Sequence, residues 1–410
     1  MKREVLLVIA SCFVALAGVE LTTRAFVDPN DGSAGVLMNR RLPPFRIIPA
    51  NPPKYDPHAR DAVWGGIVVD GKKITAGDLF GYRRPDDLLG FTTRENTASV
   101  NGWWQSNNIG ARARSDTLPK MPPGKERTLV FGESFAESVR LRQEDAWSSI
   151  LASLDPRREV VNLAVSAYSM GQAYLRYLSF KDVLEQNRTL MMFVPGADLW
   201  RDVNTIRDLY APWDMPVILP RFVVEGGKLR LVRSPYPNAS DIYSDNHDGM
   251  SVRLRNHLRG YDRYYFKSLY EDLPIIGHLI TYKLAALAVG QFARESVDRS
   301  LMAPGSEALE VSRAIFLAMQ ADEAKLGADF GLLILPAEFE LKEVIDSFKK
   351  WQAMVDFTCS GLRHCMDLAP ILLKIPQHDR DRGYDGGHYG PVVNRHIAEA
   401  VHAELTHNGL

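Results

Sequence analysis

Apolar runs alternate with amphipathic segments over the second two-thirds of the chain. The runs "TLVFG", "EVVNLAV", "LMMFVPG" and "GLLILP" predict four buried strands. Apolar positions at helical spacing between and after them predict helices at 146–154, 171–184, 306–326 and 341–355, and a last helix over "PVVNRHIAEAVHAEL". Strands that are apolar throughout and alternate with helices are typical of a parallel sheet covered on both faces. The pattern therefore predicts an α/β domain over residues 126–410.

Two other regions lack this rhythm. Residues 27–125 are rich in Pro, Gly, Asn and Arg, with short apolar runs such as "GGIVVDG", and predict an irregular arm with a few short strands. Residues 204–299 interrupt the α/β pattern with aromatic clusters such as "YDRYYFKSLY". Long insertions in compact domains tend to be functional or to form small subdomains. We interpret this one either as a cap beside an active site or as a packing insertion.

The N-terminus pairs basic residues with an apolar segment. Lys2 and Arg3 precede an apolar run from Val5 to Val19, which predicts either a removed signal peptide or an uncleaved membrane anchor within residues 1–26. The run would span roughly 22 Å as a helix, less than the ~30 Å core of a bilayer. A buried N-terminal helix is a third interpretation. Both of the first two place the remaining chain outside the cytoplasm, in the periplasm or at the cell surface.

Composition and charge narrow the function classes. The formal net charge is −1, and acidic and basic residues are interspersed without a basic stripe, which argues against a nucleic-acid partner. The sequence has no Gly-rich phosphate loop and no His/Cys cluster with zinc spacing, so we predict neither a cofactor nor a metal. Cys359 and Cys365 either form a disulfide in an oxidising compartment or are two unrelated thiols.

The candidate chemistry begins at Ser134, which directly follows the first predicted strand of the α/β domain in "TLVFGESFAES". Ligands bind at the carboxyl ends of parallel strands, so Ser134 is either a nucleophile or simply the cap of the next helix. Near the C-terminus, "GYDGGHYG" places Asp385 three residues before His388 in a glycine-rich loop. A turn there would bring the carboxylate to Nδ1 and leave Nε2 facing Ser134, as in a Ser-His-Asp triad.

The nucleophile elbow of α/β-hydrolases is excluded as a model. Its Gly-x-Ser-x-Gly pattern needs a glycine where this chain has Ala136, and here the serine follows the first strand of the domain.

With these motifs the chain resembles the SGNH (GDSL-like) hydrolase superfamily from about residue 126 to 410, apart from the insertion. "FGESF" is similar to the Gly-Asp-Ser block, with Glu133 in the Asp position, and "VVNLAVSAYSMGQ", "VPGADLWRD" and "DGGH" are similar to the later blocks, in order. The segment "LGFTTRENTASVNGWWQSNNIGARAR" and the start ending in "VELTTR" resemble membrane-anchored bacterial members.

The resemblance implies a flavodoxin-like three-layer α/β/α sandwich with a parallel sheet. It also implies ester hydrolysis in which Ser134 attacks the acyl carbon, His388 transfers the proton and Asp385 orients the imidazole. Ser134 and Ala167 would contribute backbone N–H groups to the oxyanion hole.

Two departures from the family pattern concern the oxyanion hole. Ala167 stands at the family's glycine, and Ala197 stands at the family's asparagine, without a side-chain donor. Asn204 is another candidate donor, whereas Gly171 suits the start of a helix better than an oxyanion hole.

Two functions follow. The first is an extracytoplasmic serine esterase, or acyltransferase, acting on small acyl esters such as acetylated glycans. The alternative is a non-catalytic carbohydrate-binding or assembly protein on the same scaffold.

Overall fold

The structure is a computed structural model that describes residues 2–29, 33–48, 63–69, 72–75, 82–99, 101–210, 218–238, 241–383 and 387–407. The chain divides into two compact units. One comprises residues 1–54, 204–217 and 235–300, and the other comprises residues 55–203, 218–234 and 301–410. Each unit is described separately.

The second unit contains a five-stranded sheet. Its strands are β1 (Glu126–Phe131), β2 (Arg158–Asn162), β3 (Arg188–Phe193), β4 (Asp329–Ile334) and β5 (Cys365–Asp367). All four neighbouring pairs are parallel, in the spatial order β2-β1-β3-β4-β5. This is the flavodoxin-like order, in which ligands bind where β1 and β3 diverge. The predicted parallel sheet is confirmed.

Helices cover both faces of this sheet because successive strand residues point to opposite sides. On one face, Val130 and Met192 join a buried apolar cluster with Trp147 and Ile397. On the other face, the ring of Phe131 contacts that of Tyr177 with centroids 5.6 Å apart, and Phe193 contacts Phe316 at 5.4 Å. The three-layer α/β/α sandwich is therefore confirmed.

The helices of this unit include all five that the sequence predicted, but the predicted helix at 341–355 is two helices with a break at Ser347. A disulfide joins Cys359, at the end of the second of these, to Cys365 in β5, with Cα atoms 5.6 Å apart. The α-helices are Ser134–Glu137, Trp147–Ser153, Met170–Phe180, Pro195–Asp202, Glu307–Leu326, Glu338–Asp346, Phe348–Cys359, Ala369–Lys374 and Pro391–His407.

Among its described residues, the second unit also has three antiparallel hairpins. They pair Val63–Val69 with Lys72–Thr75, Arg83–Asp86 with Gly90–Thr93, and Arg221–Glu225 with Lys228–Val232.

The first unit is mainly helical. The carboxylate of Glu20 accepts hydrogen bonds from the backbone N–H groups of Ile280 and Thr281, at 2.8 and 3.0 Å. These bonds link the helix Lys2–Arg24 to the start of the helix Ile280–Ser300. Within the described residues, no helix is both long and apolar enough to cross a membrane. The helices are Lys2–Arg24, Asp241–Asp245, Val252–Tyr261, Lys267–Tyr270 and Ile280–Ser300, and a small sheet comprises Val27–Asp28, Val36–Leu37 and Arg40–Arg41.

Candidate active site

Ser134 begins a short helix immediately after β1. Gly132 makes this turn at φ +144°, and a Cβ there would lie 2.7 Å from the Ala136 side chain and 2.9 Å from the Met192 carbonyl. The helix is capped by Glu133, whose Oε1 accepts a hydrogen bond from the Phe135 N–H at 2.8 Å. The capping role that the sequence allowed for Ser134 is therefore filled by its neighbour, and the serine hydroxyl is directed elsewhere.

The structure brings Ser134 and His388 together. The Oγ of Ser134 lies 2.7 Å from Nε2 of His388, although 254 residues separate them in the chain. The same hydroxyl donates a hydrogen bond to Oε2 of Glu133. Ser134 is 5% exposed, and the ring of Phe135 packs 4.6 Å from the imidazole. The hydroxyl thus has two proton acceptors within reach, a carboxylate and an imidazole.

The third predicted triad member, Asp385, lies outside the described residues. A nearby carboxylate with a described position is that of Asp381, which accepts hydrogen bonds from the N–H groups of Val392 (2.9 Å) and Val393 (3.1 Å). These groups belong to the first turn of the helix Pro391–His407, so the carboxylate of Asp381 supports the helix that follows the histidine loop.

Ala167 has a left-handed backbone conformation. Its φ is +68°, in the left-handed region that glycine enters most easily. The loop containing it is tied to the end of β1, because the N–H of Val165 donates to the carbonyl of Gly132 at 3.2 Å.

Ala197 lies in the first turn of the helix Pro195–Asp202, directly after β3. Its N–H donates to the carbonyl of Val194 at 2.9 Å, and its half-buried methyl packs on the apolar cluster that also contacts Phe135. Because β1 and β3 are neighbours, Ala197 and Ser134 follow adjacent strand ends.

The other two residues considered for the oxyanion hole, Asn204 and Gly171, make hydrogen bonds elsewhere. The amide of Asn204 donates to Asp262 at 3.4 Å, and both residues belong to the first unit. Gly171 lies in the first turn of the helix Met170–Phe180, and its N–H donates to Asp202 at 3.1 Å. That position suits the helix-start role considered for Gly171.

A buried charge cluster lies behind the serine. The carboxylates of Glu133 and Asp198 are both fully buried, and Nη1 of Arg201 lies 3.6 Å from the first and 3.7 Å from the second. Burial and the nearby charge of Glu133 raise the pKa of Asp198 well above its ordinary value. A single guanidinium therefore faces two carboxylates next to the candidate nucleophile.

Arg112, in the arm, holds the segment after the serine helix. Its buried guanidinium donates to four backbone carbonyls, those of Glu137 (2.5 Å), Ser138, Leu141 (2.8 Å) and Arg142 (3.2 Å). Burial lowers the pKa of Arg112 to about 10. The motif "NIGARAR" showed no sign of this role, because the carbonyls that Arg112 contacts lie 25 to 30 residues further along the chain.

Asn394 connects the serine segment to the histidine loop. Its Oδ1 accepts from the Ser138 hydroxyl (3.0 Å) and the Trp147 N–H (3.2 Å), and its Nδ2 donates to the carbonyls of Tyr389 (3.1 Å) and Gly390 (2.9 Å). Nothing in the sequence around Asn394, one asparagine within a predicted helix, indicated that it would make these hydrogen bonds. The bonds fix the relative position of the two segments that carry Ser134 and His388.

The space beside Ser134 and His388 is small. A cavity of about 10 Å³ borders both residues, and Phe135, Leu335 and Tyr389 are among its walls. That volume suits about one water molecule. Among the described residues, no group of three or more His, Cys, Asp or Glu side chains is arranged to hold a metal ion.

The fold and the candidate site point to the same class of protein. A parallel sheet in flavodoxin-like order, a serine after β1 and a histidine before the last helix agree with the SGNH (GDSL-like) hydrolase superfamily, which the chain resembles. No protein-family model matches this chain, and neither does any curated protein sequence.

Eighteen chains of solved structures match this chain, and two of them are a G-D-S-L family protein and an esterase. A proposed lipolytic protein of the G-D-S-L family from Desulfitobacterium hafniense is 10% identical with a TM-score of 0.31, and the match covers 68% of this chain and 99% of the other. The psychrotrophic esterase EstA from Pseudoalteromonas, in a structure inhibited by monoethylphosphonate, is 11% identical with a TM-score of 0.32, covering 69% and 100%.

Proposed function

We propose that this protein is a serine esterase of the SGNH type that hydrolyses or transfers small acyl groups. The observation that carries the proposal is the 2.7 Å separation between Oγ of Ser134 and Nε2 of His388 at the carboxyl end of β1. Serine is a weak nucleophile unless an adjacent base accepts its proton, and a nucleophile and base within hydrogen-bond reach are the signature of covalent catalysis.

The reaction follows from this arrangement. Oγ of Ser134 attacks the acyl carbon while His388 takes the hydroxyl proton and then passes it to the leaving alcohol. Water, or an acceptor alcohol, then attacks the acyl-enzyme by the same route in reverse. We assign Asp385 to orient the imidazole, and the N–H groups of Ser134 and Ala167 to the developing oxyanion. The left-handed backbone of Ala167 supports its assignment, because glycine, which the family has at this position, enters that conformation most easily.

As the substrate class we propose small acyl esters, such as acetylated glycans. The basic and apolar N-terminus supports an exported or membrane-anchored protein that acts outside the cytoplasm.

A non-catalytic binding protein on the same scaffold is the second candidate. It is favoured by Ala197, which offers no side-chain donor where the family has asparagine. In a well-studied serine enzyme, loss of one such donor lowers turnover by roughly 10²–10³.

Esterase assays on the full chain distinguish the two functions. We expect hydrolysis of p-nitrophenyl acetate that falls with butanoate and octanoate, and no hydrolysis above the uncatalysed rate by Ser134→Ala. Equal slow rates for wild type and Ser134→Ala on every ester would refute the esterase and favour the binding protein.

A further inference from the structure

We propose that Glu133 is a second proton acceptor for Ser134, so that the nucleophile is served by both a carboxylate and His388. The inference rests on the proposed esterase function and adds one catalytic residue to that site. It starts from the hydroxyl of Ser134, which donates to Oε2 of Glu133 while Nε2 of His388 lies 2.7 Å from the same oxygen.

The carboxylate of Glu133 contacts a backbone donor and a guanidinium in addition to the serine hydroxyl. Its Oε1 accepts from the Phe135 N–H at the start of a helix, and Nη1 of Arg201 lies 3.6 Å from its Oε2. A backbone donor and a guanidinium both stabilise a carboxylate, and hydrogen bonds to a charged acceptor are stronger than those to a neutral one. Because the side chain is fully buried, water does not compete for Oε2.

Capping alone does not account for these contacts. An N-cap needs one side-chain oxygen to accept a backbone N–H, and Oε1 alone makes that bond. The second oxygen of Glu133 contacts the reacting atom itself. A serine hydroxyl has one hydrogen, so it donates to Glu133 in one orientation and to Nε2 of His388 in another.

The arrangement predicts two routes for the serine proton. When Ser134 attacks a fluorophosphonate, the Oγ–P bond forms, the P–F bond breaks and fluoride leaves with the bonding electrons. The hydroxyl proton passes to His388 in one route and to the Glu133 carboxylate in the other. Since fluoride needs no proton to leave, this single-turnover reaction requires a proton acceptor for Ser134 but no proton donor for the leaving group.

The test compares inactivation rates by a fluorophosphonate in wild type, Glu133→Gln, His388→Ala and the double variant, followed by intact mass. We expect His388→Ala to react at least about tenfold faster than Ser134→Ala, and the double variant to lose that residual rate. Equal rates for His388→Ala and the double variant would overturn the proposal, as would a His388→Ala protein no faster than Ser134→Ala.

Two controls separate catalysis from capping and burial. Glu133→Asn keeps a strong N-cap residue without a carboxylate, and it replaces Glu133→Gln in the comparison should that variant not fold. Glu323→Gln neutralises another fully buried carboxylate, which accepts from the Gln186 amide, and should leave the rate unchanged. Wild-type protein that is not labelled at Ser134 would refute the esterase itself, whereas labelled wild type with equal variant rates refutes only the role of Glu133.

Discussion

Oγ of Ser134 lies 2.7 Å from Nε2 of His388, although Ser134 follows β1 and His388 precedes the helix Pro391–His407. The first strand lies inside the sheet, next to β2 and β3, and the last helix packs on the apolar cluster beside it. This packing brings the two distant segments together. Asn394 then fixes them to each other through its hydrogen bonds to Ser138 and Tyr389.

Replacing either member of the pair should remove activity and leave the fold intact. We expect Ser134→Ala and His388→Ala each to lower kcat for p-nitrophenyl acetate by at least about 10³-fold. The melting temperature should change by no more than about 4 °C, because neither side chain is part of the apolar cluster that packs the sheet. A loss of stability with activity retained would show that the pair is structural.

Asp385 and Asp381 should respond differently to substitution by asparagine. An amide at 385 would favour the wrong imidazole tautomer, so we expect kcat to fall by up to about 10⁴-fold with little change in KM. Asp381→Asn should change kcat less than threefold, roughly, while lowering the stability by about 0.3–1 kcal/mol through loss of a charge at a helix start. Steady-state kinetics and thermal melting would check both. The opposite ranking of the two kcat values would make Asp381 the orienting acid.

Ala197→Asn tests the missing oxyanion donor. Since Ala197 follows β3 beside the serine, an amide there could reach the developing oxyanion, and we expect kcat to rise about tenfold with KM little changed. Scanning fluorimetry would reveal a clash with the apolar cluster as a lower melting temperature. A stable variant whose kcat is unchanged would mean that another group already fills the oxyanion hole.

Asp198 should make stability depend on pH. Its raised pKa means that the folded protein keeps a proton which the unfolded chain has already lost, so the folded state loses stability as pH rises above the ordinary aspartate value. Asp198→Asn cannot ionise. Its unfolding free energy relative to wild type should therefore increase as the pH rises from about 4 to about 8. Urea titrations would measure this, and a pH-independent difference would contradict the raised pKa.

The sequence predicted the elements whose signal is local. Four strands were visible because each lies in a mostly apolar run, and their alternation with helices indicated the parallel sheet. The fifth strand, Cys365–Asp367, has only three residues, one of them charged, and gains its order by pairing with β4. The break at Ser347 was missed because apolar spacing continues across it.

The site was predictable where motif order identified it and not elsewhere. Ser134 and His388 lie in the motifs "FGESF" and "DGGH", which resemble those of the SGNH superfamily. Arg112 and Asn394 act through contacts made across the fold, Arg112 with carbonyls 25 to 30 residues away, and a sequence carries no local sign of such partners. The positive φ of Ala167 was also hidden, because alanine seldom adopts that conformation.

The most direct test of the central claim is to treat the full chain with a fluorophosphonate and map the modified residue by peptide mass spectrometry. We expect one phosphonyl adduct on Ser134 in wild type, none in Ser134→Ala, and much slower labelling in His388→Ala. Wild-type protein that stays unlabelled at pH 8, or that is labelled equally in Ser134→Ala, would contradict a Ser134 nucleophile.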